Sequence, residues 1–173
     1  ETILYYSKTR NPLFNKIYLP YNQEQLKRFS SIDKKGRRYK TITKDKKLYL
    51  DEAKGIPISD LWDDIASFQT VVNSGEIMDF NGQKPEKLIK RIIESSSNEG
   101  DIVLDYHIGT GTTLAVAHKM HRQYIGVEQM DYIHDLPETR LKQVVKGDQS
   151  GISRDVKWNG GGDLVYMELS KWN

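Results

Sequence analysis

The densest chemistry in this 173-residue chain lies in Asp105-Tyr106-His107-Ile108-Gly109-Thr110-Gly111-Thr112-Thr113, with Glu128 following after an apolar run. Glycines separated by one residue permit backbone angles closed to other residues and let a ligand approach the main chain closely. A helix beginning near Thr112 presents its first N–H groups to the same space, where they favour a polar or negative group. Glu128 sits where an acidic side chain accepts hydrogen bonds from both ribose hydroxyls of an adenosine. The order strand, Gly-x-Gly, helix, strand, acid therefore points to an adenosine-containing cofactor. A plain tight turn with a surface carboxylate is the weaker reading. A dinucleotide fingerprint would carry a third glycine at position 114, and Leu114 stands there instead, which counts against a nicotinamide dinucleotide.

Positioning these residues requires a βαβ unit. Ile102-Val103-Leu104-Asp105 has the continuous apolar character of a buried parallel strand, and a helix is expected from about Thr112 through Met120. Gln123 to Glu128 supplies the second strand, with a right-handed crossover expected between the two. Ahead of them, Lys84-Pro85-Glu86 opens a helix, since proline is tolerated in a first turn and glutamate suits the positive end of the dipole. Leu88, Ile89, Ile92 and Ile93 give that helix one apolar face, and Ser95 to Gly100 ends it. Leu136 to Val145 predicts a further helix, and Leu164 to Leu169 a last strand beyond the Gly160-Gly161-Gly162 break. In the first half, Ile3 to Tyr6 predicts a short buried strand, and Leu48 to Leu50 and Ile56 to Ile58 predict small strands and turns. No long amphipathic helix is visible there.

Charge is clustered rather than abundant. The net charge is only +2, but Lys34, Lys35, Arg37, Arg38, Lys40, Lys44, Lys46 and Lys47 crowd one stretch, opposed by Asp33 and Asp45. Such a run is ordinarily a solvated loop. Tyr39 within it, between Arg38 and Lys40, suits a surface that holds phosphates and packs against sugars or bases. The absence of cysteine excludes disulfides, cysteine-ligated zinc and iron–sulfur clusters, and fits a reducing cytoplasm. No run is long enough for a membrane span. The histidines form no ligand set, so no metal is expected, and the acidic group Asp60, Asp63, Asp64 reads as a solvated turn. Trp62 reads as a core aromatic.

Asp105 to Thr113 resembles motif I of the DNA amino-methyltransferases, usually Asp-Pro-Phe-x-Gly-Ser-Gly-Thr-Thr. Gly126-Val127-Glu128-Gln129 resembles their motif II, and Gln83-Lys84-Pro85-Glu86 their motif X. The order X, I, II behind a basic, irregular segment resembles the permuted β class. Within it, Asp33 to Tyr39, Ser59 to Ile65 and Gly147 to Ser153 resemble the modification subunits of type III restriction–modification systems, which methylate adenine at N6. The likeness covers essentially the whole chain.

That resemblance implies an α/β fold: part of a Rossmann-like, S-adenosylmethionine-dependent methyltransferase sheet with an irregular α+β target-recognition insert. Residues 1–10 would be the last strand of a catalytic subdomain, 11–80 the DNA-binding region, and 81–173 the cofactor-binding subdomain. S-adenosylmethionine would be held by Lys84, Pro85, Asp105, His107, Gly109, Thr110, Gly111, Thr112 and Glu128, and double-stranded DNA by Lys34, Lys35, Arg37, Arg38, Tyr39 and Lys40. A homodimer partner and a restriction subunit would join the intact enzyme. The chain departs from the pattern at Tyr106-His107, in place of Pro-Phe, and at Asn81-Gly82, in place of Pro-Thr. The family's Asp-Pro-Pro-Tyr loop is missing: Pro12, Pro20, Pro57, Pro85 and Pro137 are never adjacent. With Glu1 lying in strand-like sequence and no initiator methionine, the chain is expected to be a piece of a longer protein and inactive alone. Two rivals remain: a non-catalytic DNA-binding remnant that has lost the cofactor, and a fragment of a nucleotide-binding oxidoreductase, which Leu114 and the motif X likeness disfavour.

Overall fold

A computed structural model describes residues 2–68 and 75–169. The chain divides into two compact units, residues 16–62 and a second formed by residues 1–15 with 63–173.

The 16–62 unit is built from short strands. β1 (Tyr18–Leu19) pairs antiparallel with β5 (Ile56–Pro57). Between them lie α1 (Gln23–Lys27) and a three-stranded antiparallel sheet of β2 (Ser31–Ile32), β3 (Arg38–Thr43) and β4 (Lys46–Tyr49). The expected small strands at Leu48 to Leu50 and Ile56 to Ile58 are thus present in part. Asn22 starts α1 with a reciprocal cap: its Oδ1 accepts from Gln25 N–H at 2.9 Å while Gln25 Oε1 accepts from Asn22 N–H at 2.8 Å. Asp33 closes the β2–β3 turn by accepting from the N–H groups of Lys35 at 2.8 Å and Arg37 at 2.9 Å. The Arg37 N–H bond is the largest influence holding the Asp33 carboxyl below its usual range. Phe29 is fully buried and meets Tyr21 edge-on at 5.3 Å. The basic stretch is therefore mostly sheet rather than the loop such a charge run ordinarily forms, because Tyr39, Thr41, Ile42 and Thr43 favour pleated backbone.

The other unit contains the expected βαβ. β6 (Ile102–Asp105) and β7 (Gln123–Gly126) run parallel, with Ile102 opposite Gln123 and Asp105 opposite Gly126. Between them α3 (Thr112–Lys119) is buried from Leu114 to Lys119, as a helix apolar on most sides must be. α2 (Glu86–Ser96) follows Pro85 and packs Ile89 and Ile93 against Val116, Ala117 and Met120. Val103 and Tyr124 join this core from the inner face of the sheet, while Ile102, Leu104 and Ile125 on its other face are exposed.

Four expectations are corrected. Ile3 to Tyr6 forms no strand, and neither does Leu164 to Leu169; both stretches are exposed for most of their length. Apolar sequence alone does not make a strand, which exists only when a neighbouring backbone supplies a ladder. The helix expected from Leu136 starts later, as α4 (Thr139–Val145), behind a wider turn at His134–Glu138. Pro137 lies in that turn and has no N–H to donate to a regular α-helix. The acidic group is also more than a solvated turn. Both oxygens of Asp64 bond to Arg91, at 2.7 and 2.6 Å, and Arg91 holds the Asp64 carboxyl at about 2. Trp62 donates its indole N–H to the Ser59 carbonyl at 2.9 Å. Among the described residues, no helix is long and apolar enough to cross a membrane.

Candidate functional site

At the C-terminal ends of β6 and β7 opens a cavity of about 400 Å³. Of the expected cofactor residues, Lys84, Asp105, His107, Gly109, Thr110, Thr112 and Glu128 line it. Pro85 and Gly111 do not. Gly111 serves the fold instead: its φ of +75° is left-handed, and a Cβ there would lie 2.9 Å from the Pro137 Cβ. The second glycine of the pair is thus required by close packing of the 134–138 turn on the start of α3. Pro85 stands just before α2 with the extended φ and ψ of a helix-preceding residue.

Glu128 is the most fully organised group in the cavity. One carboxylate oxygen accepts from Gly109 N–H at 3.1 Å and from the Tyr132 hydroxyl at 3.0 Å. The other accepts from the N–H groups of Gln129 at 2.9 Å and Met130 at 3.2 Å. Burial pushes its pKa up, but the bonds from Tyr132 and the three N–H groups outweigh it, and the carboxyl sits below its ordinary value. It is an ionised acceptor already aimed across the Gly-x-Gly turn. Asp105, at the end of β6, accepts the His107 N–H at 3.1 Å. Its neighbour Tyr106 is 66% exposed, and its ring lies 4.9 Å from that of His107.

Sequence reasoning does not single out Phe80 and Tyr132, and it does not reveal the role of Gln83. The Phe80 ring lies over Gly109, 3.4 Å from where a Cβ would be, and meets Tyr132 edge-on at 5.3 Å. Gln83 accepts the Met78 N–H at 2.8 Å and donates to the Glu76 carbonyl, which pins the loop that carries Phe80. In the sequence Gln83 stands out through motif likeness alone, and only its local bonding reveals this bracing role.

Beside the cavity lies a buried ionic cluster that the sequence does not announce. Glu86, fully buried at the start of α2, accepts from Lys119 Nζ at 2.9 and 3.1 Å, Arg140 Nη2 at 2.9 Å and Ile152 N–H at 3.0 Å. Arg140 also donates to the Thr112 hydroxyl at 3.0 Å, which ties the cluster to the cavity wall. Gly151 leaves room for the carboxylate, since a Cβ there would collide with Glu86 Oε2.

In the 16–62 unit the basic residues divide. Arg38 is spent on the fold, donating to the carbonyls of Phe29 at 3.1 Å and Leu26 at 2.8 Å. Arg37 pairs with Asp33 and Glu52 and stacks 3.8 Å over the Tyr49 ring. Lys40 lies 4.7 Å over Phe29, and Tyr39 packs on Tyr49 at 5.6 Å. Lys34 and Lys35 are exposed in the β2–β3 turn.

The family follows from this point. The model of the N6/N4 DNA methylase family matches residues 1–138, and the chain belongs to that family. It is 54% identical over 131 residues to a probable type III restriction–modification enzyme HindVI Mod subunit of Haemophilus influenzae, covering 75% of this chain and 17% of that protein. It is 34% identical over 132 residues to the type II methyltransferase M1.MboII of Moraxella bovis, covering 74% of this chain and 48% of that one. The chain thus spans less than half the length of either relative. Among solved structures, the M1.HpyAVI–SAM complex is 28% identical over 44% of this chain and 36% of that chain, with a TM-score of 0.37.

Proposed function

We propose that the chain is the target-recognition and S-adenosylmethionine-binding portion of a site-specific adenine-N6 DNA methyltransferase of a restriction–modification system. Its parent would act on double-stranded DNA in the bacterial cytoplasm, with a second copy and a restriction subunit as partners. The observation that carries the reading is the ionised Glu128, which faces a cavity rimmed by Gly109 and Asp105. Family membership and the relatives' names support it.

The residues present fit the cofactor. The cavity lies within the size range of small-molecule sites. Glu128 presents its carboxylate to a ribose, and Asp105, His107 and Lys84 add polar groups of both signs along the wall. When bound, the cofactor supplies an electrophilic methyl group. This chain's residues would bind and orient it, with Glu128 fixing the ribose and the Gly109 turn admitting the ligand to the backbone. The sequence holds no Asp-Pro-Pro-Tyr segment, so methyl transfer by the chain alone is not expected.

Calorimetric titration tests the reading. Saturable binding of S-adenosylmethionine, with none of NAD, is expected. Heat from NAD alone would overturn it in favour of the oxidoreductase. No cofactor binding in a chain that still binds DNA would favour the remnant.

The DNA side makes its own prediction. Replacing Lys34 or Lys35 by alanine should lower the salt slope of duplex binding by about one for each phosphate no longer neutralised. Arg38→Ala should instead destabilise the 16–62 unit, because it removes the bonds that tie β3 to the Phe29 and Leu26 carbonyls. An unchanged salt slope in the doubly substituted chain would remove these lysines from the interface.

A further inference from the structure

A carboxylate has two oxygens and about four lone-pair positions. On Glu128 all four are taken: three by the backbone N–H groups of Gly109, Gln129 and Met130, and one by the Tyr132 hydroxyl. The N–H donors belong to the turns that shape the site and cannot leave without distorting them. Tyr132 is different. Its hydroxyl is held at the end of a side chain whose ring rests edge-on against Phe80, and a torsional change releases it.

We propose that Tyr132 gates the carboxylate: its hydroxyl holds the acceptor position that a ribose hydroxyl of the ligand takes on binding. The inference rests on the proposed cofactor reading of the same cavity. The hydroxyl and the ribose are chemically alike, each an O–H donor to the same oxygen, so one substitutes for the other without leaving Glu128 short of a partner. The exchange lowers affinity by the strength of the bond that must be given up. It also selects for ligands that carry a free ribose hydroxyl, because a ligand without one leaves Tyr132 in place and gains no bond to Glu128. Burial and the bond to Glu128 both raise the Tyr132 pKa, so the phenol remains a protonated donor at neutral pH.

Tyr132→Phe keeps the ring against Phe80 and vacates the acceptor. The variant should bind S-adenosylmethionine and adenosine about three- to tenfold more tightly than the unsubstituted chain, the range of one hydrogen bond exchanged with solvent. It should show no such gain for 2′,3′-dideoxyadenosine. A purely structural role for Tyr132 would change all three ligands alike or weaken them. Equal or weaker binding of S-adenosylmethionine, or an equal gain for the dideoxy ligand, overturns the gate while leaving the cofactor reading intact. If neither chain binds any adenosine compound, both fall together. A second measurement on the unsubstituted chain needs no variant: saturation with S-adenosylmethionine should shift the hydroxyl-bearing ring carbon of Tyr132 in the NMR spectrum. An unmoved resonance in a saturated sample overturns the gate.

Discussion

Glu86→Ala is expected to cost about 3–5 kcal/mol, the usual penalty for leaving buried charges without their partner. Lys119 and Arg140 are almost wholly buried, and Glu86 is the nearest carboxylate to both. Glu76 lies farther from Arg140, at 3.7 Å, and Asp148 at 3.7 Å from Lys119. Neither can replace a group that accepts from both cations and from the Ile152 N–H together. A loss of that size is a large part of a small domain's stability. The melting temperature should fall by roughly 15 °C or more. A drop of only a few degrees in a thermal melt would mean that water or Glu76 takes over the cluster.

Glu128→Ala should weaken S-adenosylmethionine binding by roughly tenfold or more, because a ribose hydroxyl on the carboxylate makes a charge-assisted bond. Glu128 also holds the Gly109, Gln129 and Met130 N–H groups, so a thermal melt should show some loss of stability alongside the weakened binding. The pH dependence follows from the direction of its shift. Its folded pKa lies below the ordinary 4.5, so its contribution is present above that value and disappears only as pH falls through the lower folded one. On this group's account, affinity should be flat from about pH 8 to about pH 5. A tenfold weakening by pH 5 in the calorimeter would show that a different group titrates in the site.

The parts of the site that depend on local pattern are legible in the sequence. Ile102 to Asp105, the Gly-x-Gly turn and the helix behind it follow one another with the spacing of a βαβ unit and stand in their expected elements, while Glu128 lies beyond the end of β7 rather than inside the strand expected from Gln123 to Glu128. What stays hidden depends on residues far apart. Gly111 reads as a ligand-facing glycine because nothing local reveals Pro137 pressing on it. Glu86 reads as a helix-dipole residue, while its partners Lys119, Arg140 and Ile152 lie 33, 54 and 66 residues away. The basic run is legible as charge but not as sheet, and its division into folded arginines and exposed lysines depends on carbonyls in α1 and at Phe29. Ile3 to Tyr6 shows the reverse error, since its apolar character suggests a strand for which the described residues supply no ladder.

The packing of Gly111 on Pro137 also has a mechanical meaning. The segment from Glu128 to Pro137 behaves as a strap fastened at both ends. One anchor is the Gly109 N–H that holds Glu128, and the other is the proline wedged against the start of α3. Tyr132 lies in mid-span. With both anchors fixed, the strap has little slack for its backbone to swing, so the compliant part of the cavity wall is the tyrosine side chain itself. Stiffness at the ends concentrates whatever give the site has into one torsion.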